Sequence, residues 1–434
     1  MADAWSSKTA FVLASIGAAV GLGNIWRFPY IASENGGLWF IIPYFICLLI
    51  IGIPLFLLET GQGIILGRGF FKAIEQSPNL PFIKRPVRRL FGTFPVLVSA
   101  VILGYYTALC SWTLWFTIQF IMGHGPSFSA MQQSYTPVIA FVAVFAAAYW
   151  VVKRGISKGI EPITRYLVPT LFVFLLVLFF YSLTLPGAGS LLEMKLGRGF
   201  EKIFDPRTWY YALSQVLFSL SVGYGIMFTY GTYLKSGKGV FVSAFQVAGA
   251  DTAASLLAFF SIVIIGATVN SPDSGLALSF ETLPAFFASQ GIFGVLIGTI
   301  FFGLLFSAAF TSVISMLEHT AVSTSFLKKQ WRLSIEATVF VLGLLSVLSY
   351  TPLKLGVFGK PVLDMLDFVF GTIFAPYSAL VIVFSCAYLL PHRHLAGKIG
   401  VPERYRWYFV LAIRKVIPIA FLLLIIFSEM ASLY

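Results

Sequence analysis

The sequence predicts an all-α polytopic membrane protein of about eleven transmembrane helices, built as two inverted halves of five with the first and sixth helices broken. Composition gives the first indication. Of 434 residues, 58% are hydrophobic and only 11% charged, with a mean hydropathy of +0.89, whereas a soluble domain carries roughly a quarter charged residues. Apolar runs long enough for a ~30 Å hydrocarbon core then recur along the chain, centred near Ala18, Ile50, Gly104, Ala143, Phe174, Ser221, Ser261, Ala309, Phe340, Ala375 and Leu423. Two of these runs are interrupted by glycines and polar residues at matching places.

The first interruption is Ser15-Ile-Gly-Ala-Ala-Val-Gly-Leu-Gly-Asn24-Ile-Trp-Arg27-Phe-Pro29. Hydrocarbon offers no partner to backbone groups freed by a break, so protein, water or an ion must satisfy them. The second is Gln215 to Gly225, about five spans later. An odd number of spans per half inverts the second half, with a site between the breaks near the bilayer midplane. The expected organisation is one membrane domain over residues 1–434, with repeats at 9–185 and 209–390 and an extra helix at 406–432. Small residues alone could serve close helix packing, but Asn24, Arg27 and Pro29 beside the first break exceed that need.

Orientation follows from the cations, which stay on the cytoplasmic side of short loops. Lys72/Lys84/Arg85/Arg88/Arg89, Lys153/Arg154/Lys158, Lys235/Lys238, Lys328/Lys329/Arg332 and Arg393/Lys398/Arg404/Arg406 occupy alternate loops. That places the N-terminus inside and residues 428–434 outside, in a multi-pass protein of the plasma membrane. The opposite-side loop 186–208 carries Lys195, Arg198, Lys202 and Arg207, partly offset by Glu193, Glu201 and Asp205. The net charge of +12 is therefore a topology signal, and the bilayer rather than nucleic acid is the expected partner. Cys47, Cys110 and Cys386 fall inside spans without metal or disulfide spacing and read as small buried hydrophobes.

The run Gly21-Leu-Gly-Asn-Ile-Trp-Arg-Phe-Pro29, followed by Glu34-Asn-Gly-Gly37, closely resembles the signature of the neurotransmitter:sodium symporters. Gln215–Gly225, Ala308-Ala-Phe-Thr311-Ser312 and Asp364-Met-Leu-Asp367 resemble further markers in the same order, from about Trp5 to Leu390. The resemblance implies symport by alternating access, no enzymatic activity, and two sodium ions. One ion would meet Ala19, Asn24, Ser219 and Asp251; the other Gly17, Val20, Ala308, Thr311 and Ser312. A hard cation wants oxygen ligands, which these supply, although Thr311 and Ser312 could equally bond back to their own helix.

The same resemblance implies a substrate pocket of Ala18, Ala19, Gly21, Leu22, Gly23, Ile102, Tyr106, Phe218, Ser219, Ser221, Tyr224, Ser312 and Met316. The Leu22 and Gly23 amides and the Tyr106 hydroxyl suit a carboxylate. Monoamine-carrying relatives place an aspartate where this chain has Gly21, so glycine implies an α-amino acid. The mostly apolar lining suits a neutral hydrophobic or aromatic side chain, since a charged one would lack a partner.

Other residues follow by the same comparison. Glu59 would brace the broken sixth helix, and Arg27 with Asp367 would close an outer gate above Tyr106 and Phe218. Asp251 stands where some members carry asparagine; its fixed charge beside the cation argues against chloride near Tyr44, Gln215, Ser219 and Ser255, so chloride is not expected to be required. The usual inner arginine–aspartate pair is absent, with Ala2 and Phe326 in those places. Trp5 and Tyr233 remain, so closure is expected from packing or from Asp3 with a cytoplasmic cation. Glu318 and His319 carry no family role; they are either a proton-linked group or water-exposed in the inner vestibule, and the second is expected. A serine hydrolase would need a base near a serine, which the four histidines do not supply; an amino-acid sensor or channel on the same scaffold is the remaining alternative. Substrate identity and oligomeric state are not legible.

Overall fold

The computed structural model describes residues 3–77, 84–189, 199–269, 278–389 and 392–431. Among these, Lys8–Ala19 (α1), Phe28–Glu34 (α2), Ile41–Cys47 (α3), Ile53–Leu66 (α4) and Phe70–Glu75 (α5) precede the long Arg85–Ile121 (α6). Phe128–Gln132 (α7), Thr136–Lys153 (α8) and Glu161–Leu183 (α9) follow. The second half runs through Pro206–Ser219 (α10), Ile226–Thr232 (α11), Val240–Thr268 (α12), Leu283–Ser289 (α13), Gly291–Ser323 (α14) and Lys329–Leu348 (α15). Val362–Leu366 (α16), Ala375–Leu389 (α17), His392–Lys398 (α18), Glu403–Leu411 (α19) and Ile417–Ala431 (α20) complete it.

Eight continuous helical segments among the described residues are long and apolar enough to cross a membrane, and a ninth span is a pair, Lys8–Ala19 with Gly23–Glu34, bent by 51°. The eight contain the expected centres Ile50, Gly104, Ala143, Phe174, Ser261, Ala309, Phe340 and Ala375, and the bent pair contains Ala18. The expected centre Ser221 falls in a break, residues 220–225, that separates α10 from α11. The one near Leu423 lies in α20. Lys195, Arg198, Glu193 and Ala2 lie outside the described residues.

The cation-rich loops gather at one end of the bundle. Arg89 and Arg85 meet Glu75 at 2.7 and 3.4 Å. Phe326 stacks on Phe71 at 4.4 Å, Gly237 abuts Lys398, and Trp5 N–H donates to the Tyr233 carbonyl at 3.2 Å. The middle of the bundle is an aromatic and small-residue core. Phe302 stacks on Phe116 and Phe120 at 4.7 and 5.6 Å, while Gly298 lets α14 approach Phe120. Cys47, Cys110 and Cys386 are free and buried.

A close helix approach brings α4 against α11. A β-carbon at Gly63 would strike the Phe228 carbonyl, and one at Gly231 would strike the Thr60 carbonyl, a reciprocal small-residue contact of the kind that lets backbones touch within membranes. Gly231→Val should therefore force α11 off α4 and cost about 1–3 kcal/mol through overpacking, read as a lower detergent melting temperature. Gly249→Ala, at a helical site with open space, should leave the melting temperature unchanged.

Candidate functional site

At the first break the helix gives up its own hydrogen bonds and side chains from elsewhere take them over. A continuous helix would direct the Gly21 N–H to Gly17 and the Asn24 N–H to Val20. Here Gly21 donates to Asn24 Oδ1 at 2.9 Å, and Asn24 N–H turns to the Gly21 carbonyl at 3.2 Å. Leu22 N–H goes to the Tyr106 hydroxyl at 3.3 Å. The Gly17, Ala18 and Val20 carbonyls thereby lose their helical donors, and that of Ala18 accepts from Ser221 Oγ at 2.6 Å. After the break, Gly23–Arg27 forms one widened turn that leads into α2.

The second break is complementary. Ser221, Gly223 and Gly225 have φ of 52°, 84° and 82°, a left-handed backbone that glycine adopts freely and that serine adopts only when its surroundings hold it. Ser221 is held by its bond to Ala18, and Gly223 N–H by Glu59 Oε1 at 2.5 Å. Glu59 is wholly buried on α4, so it stands where the broken sixth helix needed an acceptor.

Between the breaks lies a cluster of oxygens. The Asn24 side-chain amide donates to Ser219 Oγ at 2.8 Å, Asp251 Oδ1 at 2.7 Å, the Asp251 carbonyl at 3.3 Å and Ser255 Oγ at 2.8 Å. Ser219 Oγ lies 2.8 Å from both Asp251 oxygens, and the Tyr44 hydroxyl donates to Asp251 Oδ2 at 3.2 Å. One buried carboxylate with hydroxyl and backbone carbonyl oxygens around it is the donor set of a hard cation; the Asn24 amide turns its nitrogen to this cluster and its oxygen to Gly21. Among the described residues no group of three or more His, Cys, Asp or Glu could hold a metal; the oxygens here are mostly neutral.

The second expected ion set is brought together by glycines. Gly17 packs on Thr311, whose Cβ would lie 3.2 Å from an added β-carbon, and Gly21 packs on Ser312 Oγ at 3.0 Å by the same measure. Thr311 Oγ1 donates to the Ser307 and Ala308 carbonyls at 3.1 Å each, and Ser312 Oγ to Ala308 at 3.2 Å. Both hydroxyls thus back-bond to α14, on residues packed beside Gly17 and Gly21 of the first break.

A cavity of 480 Å³ opens over the breaks. Ala18, Ala19, Gly21, Leu22, Gly23, Ile102, Tyr106, Phe218, Ser221, Tyr224, Ser312 and Met316 line it, as does the mouth formed by Arg27, Tyr30, Tyr210, Asp364 and Asp367. Ser219, expected in the pocket, does not line it and turns its hydroxyl to Asp251. Ser99, Tyr105 and Leu109, which the sequence reading missed, line it too. Their signal was helical spacing, since 99, 102, 105/106 and 109 share one face of α6.

The expected outer ion pair is not made in this state. Arg27 instead donates to Gln215 Oε1 at 2.6 Å and Ser214 Oγ at 2.9 Å, with its guanidinium 5.3 Å above the Phe218 ring. Asp367 faces the Tyr105 hydroxyl. With the two apart the cavity extends between them.

The inner side is closed, and differently from expectation. Trp5 is buried, donating through Nε1 to the Tyr230 carbonyl at 2.9 Å and packing edge-on against Tyr230 and Phe11. Among the described residues Asp3 pairs with no lysine or arginine; its carboxylate accepts the N–H of Ile156 at 2.5 Å and the Ser157 hydroxyl at 3.2 Å. Ser6 adds bonds from its N–H and hydroxyl to Glu161 at 2.6 and 2.7 Å. An acidic residue at a helix start satisfies orphan donors without any counter-cation. Glu318 and His319 do not face water as expected: both are buried, Glu318 accepting from the Tyr233 hydroxyl and His319 Nδ1 lying 2.8 Å from Thr229 Oγ1.

Comparison with known proteins accounts for this architecture. The family model for sodium:neurotransmitter symporters matches residues 2–135 and 127–433. The chain is 30% identical over 414 residues to an uncharacterized sodium-dependent transporter of Methanocaldococcus jannaschii, spanning 89% of this chain and 82% of that one. It is 30% identical over 447 residues to the uncharacterized sodium-dependent transporter YhdH of Bacillus subtilis, spanning 96% of each. Its fold superposes on the crystal structure of MhsT in complex with L-phenylalanine with a TM-score of 0.85 at 30% identity, covering 99% of this chain and all of that one. These relatives are transporters rather than enzymes, and the chain belongs to the sodium:neurotransmitter symporter family.

Proposed function

We propose that this protein couples the inward flow of two sodium ions to the uptake of a neutral hydrophobic or aromatic α-amino acid by alternating access, without a requirement for chloride. The observation that carries the reading is the pairing of the two breaks. Freed carbonyls and the Ser219 and Asp251 oxygens, drawn together by the Asn24 amide nitrogen, gather on one side, while the Leu22 amide and Tyr106 hydroxyl face the cavity on the other. One side suits cations and the other a substrate carboxylate. Ala19, Asn24, Ser219 and Asp251 would hold one ion, and Gly17, Val20, Ala308, Thr311 and Ser312 the second. One five-span bundle would rock against a scaffold around this midplane site, with Arg27 and Asp367 closing the outer mouth. The N-terminus would face the cytoplasm. The phenylalanine bound to MhsT supports the substrate class.

Energetics favours two ions. Two charges crossing 100 mV yield about 4.6 kcal/mol, and tenfold sodium gradients add about 1.4 kcal/mol per ion. Together these sustain a zwitterion gradient of about 10⁵. Chloride independence is supported by the donors around Asp251: the hydroxyls of Tyr44 and Ser219 are already directed at its carboxylate, and Gln215 donates to the Gly23 carbonyl at 3.0 Å. An added anion would meet a like charge there.

The primary test is uptake of labelled phenylalanine into proteoliposomes. Accumulation driven by an imposed sodium gradient is expected; binding without accumulation would favour a sensor and contradict transport. Asp251→Asn should make uptake depend on chloride, and undiminished uptake by this variant in chloride-free buffer would contradict the assignment. Gly21→Asp should weaken phenylalanine binding at least about tenfold, because the new carboxylate would enter beside Tyr106 and Ser312, where an added β-carbon already lies 3.1 and 3.0 Å from their hydroxyl oxygens. Retained affinity would remove the carboxylate from that place.

A further inference from the structure

His319 is a buried titratable group that the ion and substrate sites do not use. It lies on α14 two turns beyond Ser312 and is fully buried. Its Nδ1 is 2.8 Å from Thr229 Oγ1, while Nε2 has no hydrogen-bond partner. The ring fills the space beside Gly225, where an added β-carbon would fall 2.7 Å from Cε1 and 3.3 Å from Nε2. Gly225, at φ 82°, is the residue from which α11 starts, and its carbonyl already accepts the Thr229 N–H at 3.0 Å. Both contacts of the imidazole are therefore with the first turn after the second break. Glu59 holds the same break from α4 through Gly223, and its Oε2 is likewise without a partner.

The other ionisable groups nearby are committed. Glu318 accepts from the Tyr233 hydroxyl, the Tyr230 hydroxyl meets Ser315 Oγ at 2.7 Å, and Asp3 caps Ile156 from the N-terminal segment. Glu59, which holds Gly223, is the remaining carboxyl group at this hinge. A doubly protonated imidazole has two donors. Thr229 can accept one, and the Gly225 carbonyl has a second lone pair for the other; the charge itself would still sit fully buried in a site without solvent, which is costly.

We propose that His319 is a proton-binding site coupled to the hinge at Gly223–Gly225. While Trp5 seals the inner side the ring is neutral. When α1 and α11 part and water enters, the Nε2 lone pair takes a proton from that water, and the proton must return to water before the inner side can reclose. By linkage, acid on the inner side holds the protein open to that side. The alternating-access part of this inference rests on the transport reading; the proton-to-hinge coupling does not.

The test uses full-length protein carrying His124→Asn, His392→Asn and His394→Asn, which leaves His319 as the single imidazole, labelled with ¹⁵N-histidine and titrated by NMR between about pH 5 and about pH 8. In sodium with L-phenylalanine the ring should stay neutral. In potassium without either, its titration midpoint should rise by at least about one pH unit, a tenfold change in proton affinity. The same midpoint in both buffers would overturn the proposal. Thr229→Val, which removes the partner of Nδ1, should shift the midpoint seen in potassium by less than that seen in sodium, and equal shifts would also overturn it. Sodium-driven uptake by the same preparation reads the transport proposal separately, so uptake with an invariant His319 midpoint refutes this inference alone.

Discussion

The hydrogen bonds that replace helix continuity at the two breaks are the constraint on which the rest of the structure depends. Inside a membrane no solvent can satisfy a freed amide or carbonyl, and leaving one buried and unpaired costs about 1–3 kcal/mol. Three of the groups freed at the breaks are satisfied by a side chain from another part of the bundle. Tyr106 on α6 receives Leu22, Glu59 on α4 receives Gly223, and Ser221 in the second break donates to Ala18 in the first. Neither break can therefore relax alone. The reciprocal glycines of α4 and α11 serve the same end, because Glu59 reaches Gly223 only while those backbones touch.

From that constraint the proposed coupling follows. The groups that would bind cations and the groups that would bind a carboxylate belong to the same few turns, separated by Gly21, Leu22 and Gly23. An ion drawing on the Ala19 or Val20 carbonyl fixes the backbone whose next amides face the cavity. A substrate carboxylate at those amides, beside the Asn24–Asp251 cluster, fixes the carbonyls in turn. Sodium and substrate would each pre-form the other's site, and the energy of the sodium gradient would reach the substrate through a shared piece of backbone. The inner closure is built of different parts: Trp5 on Tyr230, Asp3 on a helix start and Ser6 on Glu161. It carries no arginine–aspartate pair at the places of Ala2 and Phe326, and the latter stacks on Phe71 instead.

Much of this was legible in the sequence, because membranes penalise irregular backbone so heavily that glycines beside Asn24 and Arg27 within an apolar run have few explanations. Hydropathy fixed the spans, and the resemblance of Gly21–Pro29 to a family signature placed Glu59, Asp251, Thr311 and Ser312 before any coordinates. Illegible was whatever depends on state or on which of several partners a side chain chooses. The sequence suggested Arg27 with Asp367, but the arginine prefers Gln215 and Ser214 one helix nearer. Asp3 was matched to cations, although unpaired helix amides were closer. Glu318 and His319 looked solvated because charged residues near a helix end usually are, and only the packing of α14 against α11 buries them.

The central claim is that sodium and an amino acid share one stretch of broken backbone, and linked binding tests it most directly. Titrating purified protein calorimetrically with L-phenylalanine at several sodium concentrations, and with sodium at several phenylalanine concentrations, should show each ligand tightening the other by one common factor, as linkage requires of coupled sites. Phenylalanine binding of equal strength in sodium and in potassium would contradict the account.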